Sequence, residues 1–207
     1  MDRRTAIKTL SVTLGAAATA PTLFALLSSS TADATTWQAR ALSSEQQYVI
    51  TYLVDVLIPN SDIPGALAVN VPQFIDKVYD QVLSAAEQQY FQDGAIYFSK
   101  KFTDTFHHSA ITGSDAEFQQ LIKHYFDIPK AQQSIIFAEQ SLSLSEIDSD
   151  NKERYLIYHF LLFVRSNTLF GYFTSEKIGR DVLNFDPVPG VYEGCVPLSD
   201  IGNAWTN

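Results

Sequence analysis

The sequence predicts an all-α protein, a single irregular helical domain with a buried central helix and an extended, Pro/Gly-rich C-terminal tail. Apolar residues recur at helical spacing along most of the chain, and no long stretch alternates with the period of two typical of strands. Hydrophobic residues make up 46% of the 207 residues, which is enough for a core without disulfide support. Six of the eight prolines fall within residues 58–72 and 184–207, so the remaining chain is free to form helices.

Residues 1–34 are predicted to be an export signal, and residues 35–207 to be the helical domain. Arg3 and Arg4 precede a stretch of apolar and small residues that ends in a small-residue cleavage site at Ala34. The adjacent arginines favour the twin-arginine route, which makes the twin-arginine translocase a partner and the periplasm the destination. The alternative is a membrane anchor that is never removed, but Pro21 and many hydroxyl residues interrupt its apolar stretch.

Capping residues and apolar spacing place the first helices of the domain. Ser43 and Ser44 stand three residues before glutamines, and an apolar face follows, so a helix is predicted that ends before Pro59. Residues 71–106 are predicted to form two helices, or one that is broken near Ser84.

Three further helices follow along the chain. Ser114 and Glu117 form a second capping box, and the apolar face behind it consists of Phe118, Leu121, Ile122 and Tyr125. Pro129 suits the first turn of a helix that extends to about Leu142. Residues 150–173 are the longest candidate, and because they are apolar on all sides we expect them to form the buried central helix. A transmembrane span is disfavoured, since Arg165 follows directly on the apolar run.

Two segments are predicted not to be helical. The first is residues 58–66, which closes at Val71-Pro72, and the second is the tail, residues 184–207. The tail nevertheless keeps many large apolar residues, which a disordered segment seldom does. We therefore expect it to lie along a surface, either its own or a partner's. These apolar residues are Phe185, Val188, Val191, Tyr192, Val196, Leu198, Ile201 and Trp205.

Composition and motifs exclude several classes of function. The net charge of −9, without a basic run, argues against nucleic acid as a partner. The sequence contains no dinucleotide-binding fingerprint, no P-loop and no G-x-S-x-G elbow. The single cysteine excludes an internal disulfide, an iron–sulfur cluster and a covalently attached haem. We therefore predict no cofactor in this chain.

The titratable residues form no recognisable catalytic or metal-binding set. Adjacent His107 and His108 point to different sides of a helix, so a polar helix end is favoured over a metal site. His124 and His159 are expected to be packed, hydrogen-bonded histidines rather than catalytic bases. Asp76 and Asp80 have neighbours typical of a solvent-facing surface, which argues against a buried acid–base pair. No catalytic, cofactor-binding or metal-ligating residue is predicted.

Cys195 is the one reactive candidate, and the residues alone leave two interpretations open. An unpaired cysteine in an exported protein suggests an intermolecular disulfide or a free thiol. The other interpretation is a buried, inert thiol.

The two Pro/Gly segments carry a resemblance to a known family. Residues 57–66 with 71–76, and residues 171–176 with 186–198, resemble the hallmarks of the small (third, gamma) subunit of gluconate 2-dehydrogenase and its sugar and polyol dehydrogenase relatives. Members also tend to begin with a twin-arginine signal. The likeness covers roughly residues 45–205, and it departs from the family pattern at Asn60 and Lys177.

The resemblance implies a non-catalytic small subunit of a periplasmic flavin-dependent sugar or alcohol dehydrogenase complex. In such complexes a large subunit of the glucose–methanol–choline (GMC) type holds the FAD, and a multihaem cytochrome c subunit passes the electrons on. The small subunit helps the large one to fold and leave the cytoplasm. An association with the inner membrane through the complex stays open.

We expect the tail to lie against the flavoprotein, because it is extended yet rich in apolar groups. As contact residues it would supply Pro187, Pro189, Tyr192, Cys195, Pro197 and Trp205. Cys195 would then bond to a cysteine of the large subunit.

Two rival functions make different structural demands. A small periplasmic hydrolase using His159 or His124 would need a convergent acid–base set in one pocket. A free-standing helical module that binds a ligand would need an apolar cavity of a few hundred Å³, on the order of known ligand sites.

Overall fold

The computed structural model describes residues 37–185, 190 and 195–205, and these residues form α-helices joined by turns and short 3₁₀ segments. The predicted all-α class is confirmed. The α-helices are α1 Ser44–Leu57, α2 Val71–Gln81, α3 Ala85–Phe106, α4 Asp115–Phe126, α5 Lys130–Glu139, α6 Lys152–Phe173, α7 Glu176–Asp181 and α8 Leu198–Ile201. The 3₁₀ segments are Leu67–Val69, Ala110–Thr112, Leu144–Glu146 and Ser149–Asn151.

Serine caps fix where three of these helices begin, and both predicted capping boxes are confirmed. Ser43 accepts the N–H of Gln46 at 3.2 Å, and the Gln46 side chain accepts the Ser43 N–H at 2.9 Å. Ser114 forms the same reciprocal box with the glutamate three residues on. Ser84 does likewise with Glu87. That third box separates α2 from α3, so residues 71–106 form two helices rather than one.

The last predicted helices differ from expectation only at their ends. Pro129 lies at the N-cap of α5 rather than in its first turn. The helix ends at Glu139, short of Leu142, because the chain turns there and the Gln140 side chain donates to the Tyr155 carbonyl of α6 at 3.1 Å. Helix α6 has 22 residues, the same length as α3.

Helix α6 is the predicted central helix, and its burial confirms that role. It packs against α1, α2, α3, α5 and α7. Phe160, near its middle, is fully buried, whereas Phe170 and Phe173 near its C-terminus are 60% and 49% exposed. Within the part of the chain that the structure describes, no helix combines the length and hydropathy needed to cross a membrane.

The closest approach in the core lies between α3 and α6, and Gly94 makes it possible. A Cβ atom at Gly94 would lie 2.3 Å from the Leu156 carbonyl oxygen and 2.7 Å from the Phe160 Cβ. Both contacts are with rigid parts of α6, so neither can be relieved by turning a side chain. A side chain at this position would force the two longest helices apart.

Replacing Gly94 with alanine is therefore expected to destabilise the domain, although alanine is the better helix former by about 1 kcal/mol. We expect a net loss of roughly 2 kcal/mol in the free energy of unfolding, since overpacking of a core typically costs this much. Urea unfolding measures it. The control is Gly190→Ala, because a Cβ at Gly190 meets no atom of the described residues within 4 Å. Equal stability of the two variants would contradict the proposed close contact.

Asp76 corrects the sequence-based expectation of a solvent-facing carboxylate. The residue is only 2% exposed, and its carboxylate accepts the backbone N–H groups of Arg40, Ala41 and Leu42 at 2.8, 3.2 and 3.1 Å. Local spacing within α2 could not reveal this, because the donors lie more than 30 positions earlier in the chain. Asp76 therefore anchors the segment before α1, while Asp80 is exposed as expected.

Candidate partner-binding surface

The first Pro/Gly segment is an ordered loop whose ends are tied together. The Ala66 N–H donates to the Ile58 carbonyl at 3.0 Å. The Asn60 side chain accepts the Gly65 N–H at 3.1 Å. A Cβ at Gly65 would lie 2.6 Å from the Asn60 backbone nitrogen, so only glycine fits the closed loop.

This loop packs against the C-terminal end of α6. The Tyr172 hydroxyl donates to the Pro64 carbonyl at 2.8 Å, across 108 positions of sequence. Helix α2 completes the junction, because its Phe74 ring packs against Gly171 of α6. The contact is so close that a Cβ at Gly171 would lie 2.7 Å from the Phe74 ring. Residues 57–66, 71–76 and 171–176 therefore lie together in space although they are far apart along the chain.

Three large apolar residues are exposed around this junction, and we call them the junction patch. Ile63, next to Pro64, is 46% exposed, and Phe170 and Phe173 of α6 are 60% and 49% exposed. The Phe170 ring centroid lies 5.9 Å from that of Phe74, and the Phe173 ring packs edge-on against Tyr172. Exposed apolar groups clustered in this way are typical of a surface that meets another molecule.

The tail returns to the end of α7 through backbone and amide hydrogen bonds. The Asn184 N–H donates to the Ala204 carbonyl at 2.9 Å, and Asn184 and Trp205 form an isolated parallel bridge. The Asn203 amide donates to the Val182 carbonyl at 2.6 Å. Part of the tail is thus extended as predicted, but the four-residue helix α8 was not expected.

Only some of the predicted contact residues fall on described positions. Cys195, Pro197 and Trp205 are exposed, and so are the neighbouring apolar residues Phe185 and Val196. The exposure of Cys195 contradicts the interpretation of a buried thiol. The other predicted residues lie outside the described residues, namely Arg3, Arg4, Pro187, Pro189 and Tyr192.

The sequence pattern of a known family covers most of the chain. The profile of the family described as Gluconate 2-dehydrogenase subunit 3 matches residues 44–190. That range includes the 58–66 loop and all three residues of the junction patch. The chain belongs to the gluconate 2-dehydrogenase subunit 3 family. No curated protein and no solved structure shows a significant match. The family is named for one subunit of the gluconate 2-dehydrogenase complex.

The histidines of this subunit 3 family member do not converge on one site. His159 lies between Tyr155 and Tyr90, and burial lowers its pKa. His124 is exposed. Among the described residues neither makes a hydrogen bond or an ion pair, so the expected hydrogen bonds are absent there. In the same part of the chain no cluster of His, Cys, Asp and Glu could hold a metal ion.

His108 has a partner that sequence analysis missed. His107 ends α3 in a left-handed conformation (φ 62°), which turns His108 towards α4. The His108 Nε2 lies 2.7 Å from the Glu117 carboxylate, which also caps α4. The hydrogen bond to Glu117 raises the pKa of His108, while hydrogen bonds from Ser114 and His108 lower the pKa of Glu117 to about 2. The polar helix end is confirmed, and it is a structural ion pair.

The pair makes stability depend on pH in a defined direction. The raised pKa of His108 stabilises the fold below 6.5 and loses this effect as pH rises through the folded-state value. The lowered pKa of Glu117 stabilises it above 4.5 and loses this effect as pH falls towards 2. We therefore expect His108→Gln to destabilise the domain most at about pH 5.5 and less at about pH 8.5 in urea unfolding. An equal difference at both pH values would contradict the ion pair.

An apolar groove of about 360 Å³ lies between α4, α5 and α6, and we call it the α4–α6 groove. Its walls are largely apolar and include Leu57, Ile122, Phe126, Ile136, Phe137 and Leu162. The size is what the ligand-binding alternative requires.

Proposed function

We propose that this chain is the non-catalytic small subunit of a periplasmic, flavin-dependent sugar or alcohol dehydrogenase complex. It is needed for folding and assembly of the FAD-containing GMC-type large subunit, and its twin-arginine signal exports the pair. The FAD belongs to the large subunit and the haem c to a cytochrome subunit. The observation that carries this proposal is the family match across residues 44–190, within which two distant motifs meet at an exposed apolar junction.

The junction patch is the first surface that we assign to the flavoprotein. A soluble monomer gains nothing from half-exposed phenylalanines beside a rigid loop, whereas a partner would bury them at roughly 1.5–3 kcal/mol each if burial were complete. Phe170 and Phe173 stand three positions apart on α6, so they present one face. The loop and α2 hold that face rigid, which lowers the cost of ordering it on binding.

The tail is the second surface in this proposal. Phe185, Val196 and Trp205 are exposed, and they flank the described contact candidates Cys195 and Pro197. The Asn203 side-chain amide donates to the Val182 carbonyl, and the Asn184 N–H donates to the Ala204 carbonyl. These bonds hold one end of the tail on the domain while its apolar side chains stay exposed to another protein.

Cys195 is proposed to form a disulfide with a cysteine of the large subunit. Its thiol is exposed, it is the only cysteine of the chain, and export would place it where disulfides persist. Non-reducing electrophoresis of the native complex should show a band at the summed mass that reductant splits. Cys195→Ser should abolish that band. Two separate bands from the wild-type complex would eliminate the disulfide, and an intact complex after removal of residues 184–207 would eliminate docking by the tail.

The experiment that tests the function is co-expression. The large subunit of the same organism is produced with this chain or without it, and dye-linked dehydrogenase activity is measured in the periplasm and in the cytoplasm. We expect periplasmic activity only when the chain is present. Equal periplasmic activity in its absence would contradict the role in assembly and export.

The α4–α6 groove favours a second candidate, a helical module that binds a small ligand. This candidate needs no flavoprotein partner, so a chain that purifies alone with a bound small molecule would support it over the first.

A further inference from the structure

The α4–α6 groove has the size of a small-molecule site and an amphipathic lining. Its volume of about 360 Å³ falls within the range of roughly 300–1,000 Å³ that ligand pockets occupy. Helices α4, α5 and α6 each contribute large apolar side chains, and the end of α1 closes one side with Leu57. The junction patch and the tail, which we assign to the flavoprotein, contribute no residue to its lining.

Two flexible polar side chains line the otherwise apolar groove, Arg165 and Gln133. The Gln133 amide donates one of its two N–H groups to the Ile128 carbonyl at 2.9 Å, which holds this neutral side chain in place. The Tyr158 hydroxyl likewise donates to the Tyr125 carbonyl at 2.9 Å. Arg165 is exposed, and among the described residues it has no ion pair and no hydrogen bond. The groove therefore offers an apolar body with an unpaired cation at its rim.

Helix α5 buries little apolar surface over this groove, although the Arg154–Glu139 ion pair and the Gln140 bond to Tyr155 tie its C-terminal end to α6. Ile136 is its one buried residue. Phe137 follows it and lines the groove, yet 58% of its surface is exposed. An apolar molecule in the groove would cover the Phe137 ring and give α5 the packing that it lacks.

We propose that the α4–α6 groove binds an amphipathic carboxylate of the medium-chain fatty acid class. The hydrocarbon tail lies among Ile122, Phe137 and Leu162, and the carboxylate pairs with the Arg165 guanidinium. Charge complementarity at the rim selects an anionic head, and the apolar walls select a hydrocarbon tail. Binding orders α5.

Calorimetric titration of the full chain with decanoate tests the proposal, and decanol serves as the uncharged analogue. Decanoate should bind with one site per chain and about tenfold more tightly than decanol, as one partly exposed charge-assisted hydrogen bond allows. Hydrogen exchange of residues 130–139 should slow on addition of decanoate. Equal affinities for the two molecules, or no saturable binding, would overturn the proposal.

Three variants distinguish the contribution of the Arg165 charge to binding from that of the groove volume. Arg165→Gln should reduce decanoate affinity to that of decanol, while Lys130→Gln, the same loss of charge on α5 outside the groove lining, should leave it unchanged. Leu162→Trp should fill the groove and abolish binding of both molecules. Wild-type binding by Leu162→Trp would overturn the site. Loss of decanoate binding in an assembled complex would mean that a partner protein fills the groove, and would overturn the proposal too.

Discussion

Replacing Arg3 and Arg4 with lysine is expected to leave the large subunit's dehydrogenase activity in the cytoplasm. The twin-arginine route requires the arginine pair and moves folded proteins, so one signal can export a preassembled pair. Because lysine keeps both positive charges, any loss of export would result from loss of the two arginine side chains and not from a change in net charge. The measurement is dye-linked activity in periplasmic and cytoplasmic fractions of cells that produce both subunits. We expect periplasmic activity to fall to background while total activity persists.

A conservative change elsewhere in the same signal provides the control. Lys8→Arg alters another basic residue and leaves the arginine pair intact, so export should continue. Periplasmic activity that survives the double lysine variant would show that the large subunit travels without this chain's signal.

Aspartate at Phe170 or Phe173 is expected to break the complex without unfolding the domain. Phe170 and Phe173 are 60% and 49% exposed, and both lie at the C-terminal end of α6, which packs against the 58–66 loop. A buried aromatic anchor at an interface typically contributes at least about 2 kcal/mol, so each change should weaken binding by about 30-fold or more. An aspartate at either position would also lose its water on binding, and this desolvation cost weakens the complex further. Affinity is measured by titrating the purified large subunit onto the immobilised chain.

Ile96→Asp is the matched control for these two variants. Ile96 is an exposed apolar residue on α3, 63% exposed, and it lies outside the junction patch. Its replacement introduces the same charge and should leave affinity unchanged. Thermal unfolding of all three variants confirms that each is folded. Weakening by Ile96→Asp equal to that by Phe173→Asp would refute the patch as the specific interface.

Local signals were sufficient to predict the helices α1 to α6, but not the short helices α7 and α8. A capping box needs only residues three positions apart, so Ser43 and Ser114 mark helix starts that the structure reproduces. Near Ser84 only a helix boundary was predicted, and the structure adds the capping box there. The buried face of α4 was likewise predictable, because helical periodicity places Phe118, Leu121, Ile122 and Tyr125 on one side.

Contacts between distant parts of the chain were not predictable from one sequence. Nothing near Asp76 indicates that its carboxylate accepts three backbone N–H groups from residues 40–42. The hydrogen bond from Tyr172 to Pro64 is a tertiary contact, so the junction of the two motifs appeared only in the fold. His108 and Glu117 lie nine positions apart across a turn, outside any helical spacing rule.

The candidate surface was only partly anticipated, for a similar reason. The sequence directed attention to the tail because proline and glycine are conspicuous there. Phe170 and Phe173 lie in a helix that is apolar on all sides, and only tertiary packing shows which of its aromatic residues are left exposed. The one signal that could have identified them is the motif at residues 171–176, which contains Phe173 and directly follows Phe170.

Purification of the chain from the periplasm under mild conditions tests the central claim most directly. The eluate is examined for other proteins and for the absorbance of flavin. The account predicts that a larger, flavin-bearing dehydrogenase purifies with the chain, and that the chain separated from it carries neither flavin nor dye-linked activity. A chain that purifies alone, or one that retains flavin and activity after separation, would contradict the assignment as an accessory subunit.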